Sequence, residues 1–241
     1  MYAVFKRELF SFLSSMVAYI TIGIFLLVSG LLLWVFPDTS ILDYGYAELS
    51  GFFSLVPYLF MFLIPAITMK SFAEERKEGT YELLITRPIT ISQIIIAKYL
   101  ASLVIVLFAL IPTFIYYSSI SKLGFPEVNI DSGAVIGSYI GLFLLGAAFI
   151  SLGMLASALT KNQVIAFVIC AGLCAFAYLG FDYTSQITSL QTISGEIVNL
   201  GINQHYNSIS RGVLDTRDLF YFITFSAIFL LLTKLALGGK R

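Results

Sequence analysis

Between Lys98 and Lys122 the chain reads YLASLVIVLFALIPTFIYYSSIS (99–121), without a single charged residue. An α-helix rises about 1.5 Å per residue, so about 20 apolar residues cross the roughly 30 Å of bilayer hydrocarbon. This stretch is long enough to do so. Working outward, consecutive charges bracket five further runs of the same kind. Glu8 and Asp38 enclose one, with its apolar centre over about 17–36; the pairs Glu48 and Lys70, Asp131 and Lys161, and Lys161 and Asp182 enclose three more. The last, between Asp218 and Lys234, is shorter, but Lys234 can snorkel and Leu235, Ala236 and Leu237 prolong the helix. The spacing predicts one all-α transmembrane domain over residues 1–241, with spans near 17–36, 49–69, 99–120, 134–159, 163–181 and 219–237.

Composition agrees. Of 241 residues, 59% are apolar and 12% charged, and the mean hydropathy is +0.92; a soluble domain of this size could not hide so much apolar surface. Fourteen Lys and Arg balance fourteen Asp and Glu, which gives no electrostatic reason to expect a nucleic-acid partner. Cys170 and Cys174 lie in an uncharged run and read as packing residues. Lys6 and Arg7 before an apolar run resemble the start of a signal peptide, but the run is too long for one and no small-x-small cleavage site precedes Asp38.

Lys and Arg favour cytoplasmic loops. With the N-terminus inside, the inner side carries Lys6, Arg7, Lys70, Arg76, Lys77, Arg87, Lys98, Lys161, Lys234, Lys240 and Arg241, against Lys122, Arg211 and Arg217 outside. That bias predicts both termini in the cytoplasm.

Three loop regions carry more than charge. Ahead of the first span, Tyr2, Phe5, Leu9, Phe12 and Met16 recur at helical spacing with Arg7, Ser11 and Ser14 on another face; this is either an interfacial amphipathic helix or the wet end of the span. Between the second and third spans, the cytoplasmic segment 70–98 reads as a helical hairpin. Glu74, Glu78 and Glu82 would share one stripe, with Phe72, Leu83 and Leu84 facing the membrane or the protein body. Pro88 ends this helix, and Thr90 with Gln93 fits a capping box that restarts one. The bland alternative is a solvated face. Gly79 argues against it, because glycine inside a helix costs about 1 kcal/mol and implies close approach or a kink.

In the fourth span Gly133, Gly137 and Gly141, then Gly146, Gly153 and Ser157, form a face for close helix packing, taken as intramolecular. Pro57, Pro65 and Pro112 predict kinks in spans two and three. Within the outer segment 182–218, residues 193–200 are apolar enough to lie in or re-enter the interface, and His205, with no acidic or cysteine cluster near it in sequence, reads as a surface residue.

The run EERKEGTYELL (74–84), followed by Thr86, Arg87, Pro88 and Lys98, and the segment SISRGVLDTRD (208–218) before the last span are similar to the permease subunits of type 2 ABC transporters. Within that family the chain most resembles permeases associated with bacterial gliding motility. The resemblance implies a six-helix half-transporter in the bacterial inner membrane, an exporter that pairs with a second permease, identical or related, and with cytoplasmic ABC ATPase subunits. It also implies that Glu74, Glu75, Arg76, Glu78, Gly79, Thr80, Glu82 and Leu83 form a coupling helix docked on that ATPase. The chain itself has no Gly-x-x-x-x-Gly-Lys-Ser/Thr run to cradle nucleotide phosphates. No nucleophile, base or metal-ligand set stands out in the spans, so no catalytic residue, cofactor or metal is expected. The competing reading is an ion-coupled secondary transporter. Proton coupling would need an intramembrane carboxylate or histidine, and every charge lies outside the expected spans or at their ends.

Overall fold

The computed structural model describes residues 1–36, 40–41, 48–85, 89–123, 130–186, 194–212 and 215–238. The protein is an all-α integral membrane protein. Its described helices are α1 (Tyr2–Leu13), α2 (Met16–Trp34), α3 (Ser50–Thr68), α4 (Lys70–Lys77), α5 (Thr80–Ile85), α6 (Ile91–Leu110), α7 (Phe114–Leu123), α8 (Ser132–Leu159), α9 (Gln163–Ala175), α10 (Phe181–Ser185), α11 (Ser194–Asn199), α12 (Ile202–Ser210) and α13 (Thr216–Gly238). A 3-10 turn at Ile111–Thr113 joins α6 to α7, and a π-turn at Phe176–Gly180 joins α9 to α10. Among the described residues six helical runs are long and apolar enough to cross a membrane: Met16–Trp34, Ser50–Lys77, Ile91–Leu123, Ser132–Leu159, Gln163–Ser185 and Thr216–Gly238.

The second and third runs outlast the spans expected from charge spacing by the most, about two helical turns at one end. The second continues without a loop to Lys77, and the third starts at Ile91, so Lys98 lies two turns inside a helix rather than at its mouth. Its start is set locally: Thr90 Oγ1 accepts from Gln93 N while Gln93 Oε1 accepts from Thr90 N, a complete capping box. The proline stop at Pro88 lies outside the described residues.

The buried centre of the bundle is α8, against which α3, α6, α9, α12 and α13 all pack. Lipid tails are as apolar as leucine, so helices here associate through close van der Waals fit and hydrogen bonds rather than by escaping water. Glycine supplies the fit. A Cβ on Gly137 would stand 3.1 Å from Gly212 Cα, one on Gly141 2.9 Å from Ile209 Cγ2, and one on Gly153 would overlap Thr68 Oγ1. Gly137 and Gly141 thus admit α12 and the turn after it, within this chain. Gly133 does not pack against another helix; it sits in the first turn beside the capping Asp131 carboxylate, which accepts from Gly133 N and Ala134 N.

Pro57 lacks an N–H and leaves the Phe53 carbonyl without its helical donor. Tyr206 on α12 supplies one, its hydroxyl donating to Phe53 O at 2.5 Å. α12 folds back onto the bundle, with Ile202, Tyr206 and Ile209 buried; the helix before it, α11, is exposed or half-buried over 195–199. The outer faces of α2, α9 and α13 stay bare and apolar, as with Met16, Val168 and Phe220. Cys170 and Cys174 are buried, unbonded, with sulfurs 3.9 Å apart.

Candidate functional site

The end of the bundle that holds α1 concentrates the charge. The N-terminal segment resolves into a helix of its own, breaking at Ser14 and Ser15 before α2 begins. It is not the wet end of the first span. Leu9 and Phe12 pack against the core, whereas Tyr2 and Met16, expected on the same apolar face, are exposed. The other face of α1 turns Arg7 and Glu8 toward α4.

A buried ammonium must find carboxylates, because an unpaired charge away from water is strongly destabilising. Lys98 Nζ, on a side chain 1% exposed, lies 2.8 Å from Glu8 Oε1 and 3.1 Å from Glu75 Oε1, and donates to Ser71 O at 2.7 Å. Arg7 Nη2 reaches the same two carboxylates at 2.8 and 2.5 Å. Two cations and two carboxylates balance, tying α1, α4 and α6 together. Burial pushes the Glu8 carboxyl up, but the Lys98 ammonium, its hydrogen bond and Arg7 overcome this and hold it below the usual carboxylate range. Burial likewise pulls Arg7 down, and the hydrogen bond and charge of Glu8, with those of Glu75, leave it raised. Beneath the ammonium, 5.2 Å away, lies the Phe72 ring, which meets Tyr81 of α5 edge-on.

A second set of contacts fastens α4 to the end of α8. Ser157 Oγ accepts from Phe72 N and Ala73 N at 2.9 and 3.0 Å and donates to Met69 O at 3.1 Å. The Arg76 guanidinium donates to the carbonyl of Ala158 in the last turn of α8, where helix carbonyls have no intrahelical donor and the dipole favours a cation.

The structure therefore sorts the residues singled out in 74–84. Glu75 and Arg76 turn inward, Glu74 is half-buried, and Glu78, Gly79, Thr80 and Glu82 are exposed. The stripe expected from Glu74, Glu78 and Glu82 is broken. Gly79 adopts φ +73°, ending α4 and starting α5 in a new direction, and nothing lies within 4 Å of a Cβ added there. Among the described residues it acts as a kink residue. The Leu83 and Leu84 side chains lie outside the described residues, as do Thr86, Arg87 and Pro88.

At the opposite end, His205 is not the isolated surface residue the sequence suggests. Its Nδ1 lies 2.6 Å from Asp218 Oδ1, its Nε2 2.9 Å from Asn199 O, and its ring stacks on Tyr221 at 3.9 Å. The turn through Gly212, with φ +83°, brings the thirteen-residue separation to contact. Of the cluster at the first end, only Glu75 was singled out as a site residue. The missing signal was Lys98 itself: a lysine heading a long apolar run needs a counter-charge, and Glu8 and Glu75 flank the two spans beside it.

The family model described as ABC-2 family transporter protein matches residues 36–238. No curated protein matches the chain.

Proposed function

The chain belongs to the ABC-2 family of transporter proteins, the membrane permeases of ABC transporters, which are not catalytic on their own, and from that membership we propose that α4, α5 and the kink between them form the docking surface for a separate cytoplasmic ATPase. The observation that supports this is the division of the segment into an anchored and an exposed side. One side is bolted to the bundle through Glu75, Arg76 and Ser157, and the other side, Glu78, Thr80 and Glu82, is presented to solvent. A force applied at the exposed residues has a rigid route to α1, α6 and α8. Coupling requires such an element, because a motor can shift only a partner whose contacts with it differ between the motor's states.

This reading places α1, α4 and both termini at the cytoplasmic face of a bacterial inner membrane, as the Lys and Arg distribution favours. The bare apolar faces of α2 and α9 leave room for the second permease, identical or related, that the family architecture implies, and for lipid. Export as the direction and gliding motility as the process served rest on the family resemblance of 74–84 and 208–218. Deleting the gene and scoring both surface spreading and ATP-dependent export tests them.

The docking reading is tested by charge reversal. Glu78→Lys and Glu82→Lys are expected to lower both the ATPase recovered with the tagged chain and its coupled hydrolysis, with membrane insertion unchanged. Unchanged recovery together with unchanged coupled hydrolysis overturns it.

A further inference from the structure

At the end of the bundle away from the charge cluster, the C-terminal half of α2, the N-terminal half of α3, the π-turn and α12 line an open cavity of about 850 Å³. That lies within the range of small-molecule sites, about 300–1,000 Å³. One departure from regular helix contributes to the wall, the π-turn with Tyr178; Pro57 lies inside α3 next to the lining Tyr58, and Asn203 and Asn207 of α12 complete the lining opposite. Irregular backbone at membrane depth is tolerated where protein buries it or where it lines a cavity, and π-turns concentrate at functional sites.

The lining has one sign of charge. Glu48 stands at the wall, and no Lys, Arg or His lines the cavity among the described residues. A second carboxylate, Asp182, sits behind Asn203, whose Nδ2 donates to Asp182 Oδ2 at 2.5 Å; Asn207 Nδ2 donates in turn to Asn203 Oδ1 at 3.0 Å. Tyr58 and Tyr178 meet edge to face, 5.9 Å between centroids, and present aromatic surface to the space. Carboxylates and aromatic faces both attract a cation and disfavour an anion. Leu32 and Leu55 supply an apolar wall that a small hydrated ion would not use.

We propose that this cavity binds an amphiphilic organic cation, an amine or quaternary ammonium carried on an apolar body. The inference stands on the cavity and not on the ATPase-docking reading, so a binding measurement on the chain alone can fail without touching that reading.

The probe pair is tetraphenylphosphonium and tetraphenylborate, nearly the same size and shape with opposite charge, applied by equilibrium dialysis to the full chain in non-ionic detergent. The cation is expected to bind saturably at about one per chain, and the anion about tenfold more weakly or worse. Glu48→Gln is expected to weaken the cation about fivefold. Gly51 lines the cavity and a Cβ there meets nothing within 4 Å, so Gly51→Leu directs its side chain from an open position into the cavity and should abolish saturable binding at unchanged helical content and elution volume. Equal affinity for the two ions, or undiminished cation binding in both variants, overturns the proposal. In nanodiscs, weaker probe binding in phosphatidylcholine than in phosphatidylglycerol supports the site with a lipid headgroup as occupant; equal binding supports it with a soluble cation.

Discussion

Glu8 Oε1 and Lys98 Nζ, ninety positions apart in sequence, lie 2.8 Å from each other where almost no solvent reaches the ammonium. The pair makes α1 part of the bundle rather than a tail on its surface. Breaking one side of a buried ion pair costs about 3–5 kcal/mol, whereas removing all partners together costs far less. Lys98→Met alone is therefore expected to lower the thermal midpoint of the purified chain markedly, because it strands Glu8 and Glu75 beside a single arginine. Combining Lys98→Met with Glu8→Gln and Glu75→Gln should recover much of the loss, measured by fluorescence-detected size exclusion after heating.

Acid should find the same cluster. In the unfolded chain Glu8 takes up a proton near its ordinary value of about 4.3, while in the fold its value is held lower by Lys98 and Arg7 despite burial. Between those two values the unfolded state binds more protons, so stability falls as the pH falls. The contribution is whole above the unfolded value and gone below the folded one. Thermal midpoints collected from pH 7 down to pH 3 should fall more gently in Glu8→Gln than in the native chain; parallel curves would count against the assignment.

The fold of the bundle was legible in the sequence because span length and charge spacing are local properties, and the capping box at Thr90 and Gln93 is local too. What escaped was pairing at a distance. Nothing near His205 in sequence is acidic except by way of the Gly212 turn, and nothing near Lys98 announces Glu8. The kink at Gly79 was one of two open readings, and only its φ of +73° with empty space around it decides between them. The expected carboxylate stripe failed for the same reason, since helical periodicity holds only while the helix does.

Tyr206 and Pro57 form a pair that neither residue reveals alone. The phenol hydrogen-bonds the Phe53 carbonyl that the proline cannot serve. Tyr206→Phe strands that buried carbonyl and should cost about 1–3 kcal/mol. Pro57→Ala in the same chain restores a helical donor and should return part of it, so the two substitutions together are expected to destabilise less than the sum of each. Strict additivity in a double-mutant cycle would show that the hydroxyl serves something else.

The histidine at the far end makes a separate claim. Asp218 is buried, with Oδ1 held by His205 and, among the described residues, no partner for Oδ2. His205→Ala leaves that carboxylate with no side-chain partner at the head of α13 and should cost about 1–3 kcal/mol. Asp218→Asn in the His205→Ala background removes the stranded charge and should restore part of the loss. Charge-cluster substitutions at Lys98 should add to it independently, since the two lie at opposite ends of the bundle.

Arg76 separates docking from transmission. Its guanidinium holds the Ala158 carbonyl in the last turn of α8, while Glu78, two residues on, faces solvent. Arg76→Gln keeps a polar side chain but removes the charge that suits a helix C-terminus and the reach that spans to it. Under the docking reading, the exposed residues Glu78, Thr80 and Glu82 still meet the ATPase in this variant, so its recovery with the tagged chain should be near native. Transport-coupled hydrolysis should fall, because the docked helix then grips α8 through the Ser157 hydrogen bonds without the Arg76 contact. Glu78→Lys should show the reverse order of effects, losing recovery first. If Arg76→Gln instead abolishes recovery while Glu78→Lys leaves it intact, the assignment of anchoring and docking to the two sides of α4 is wrong.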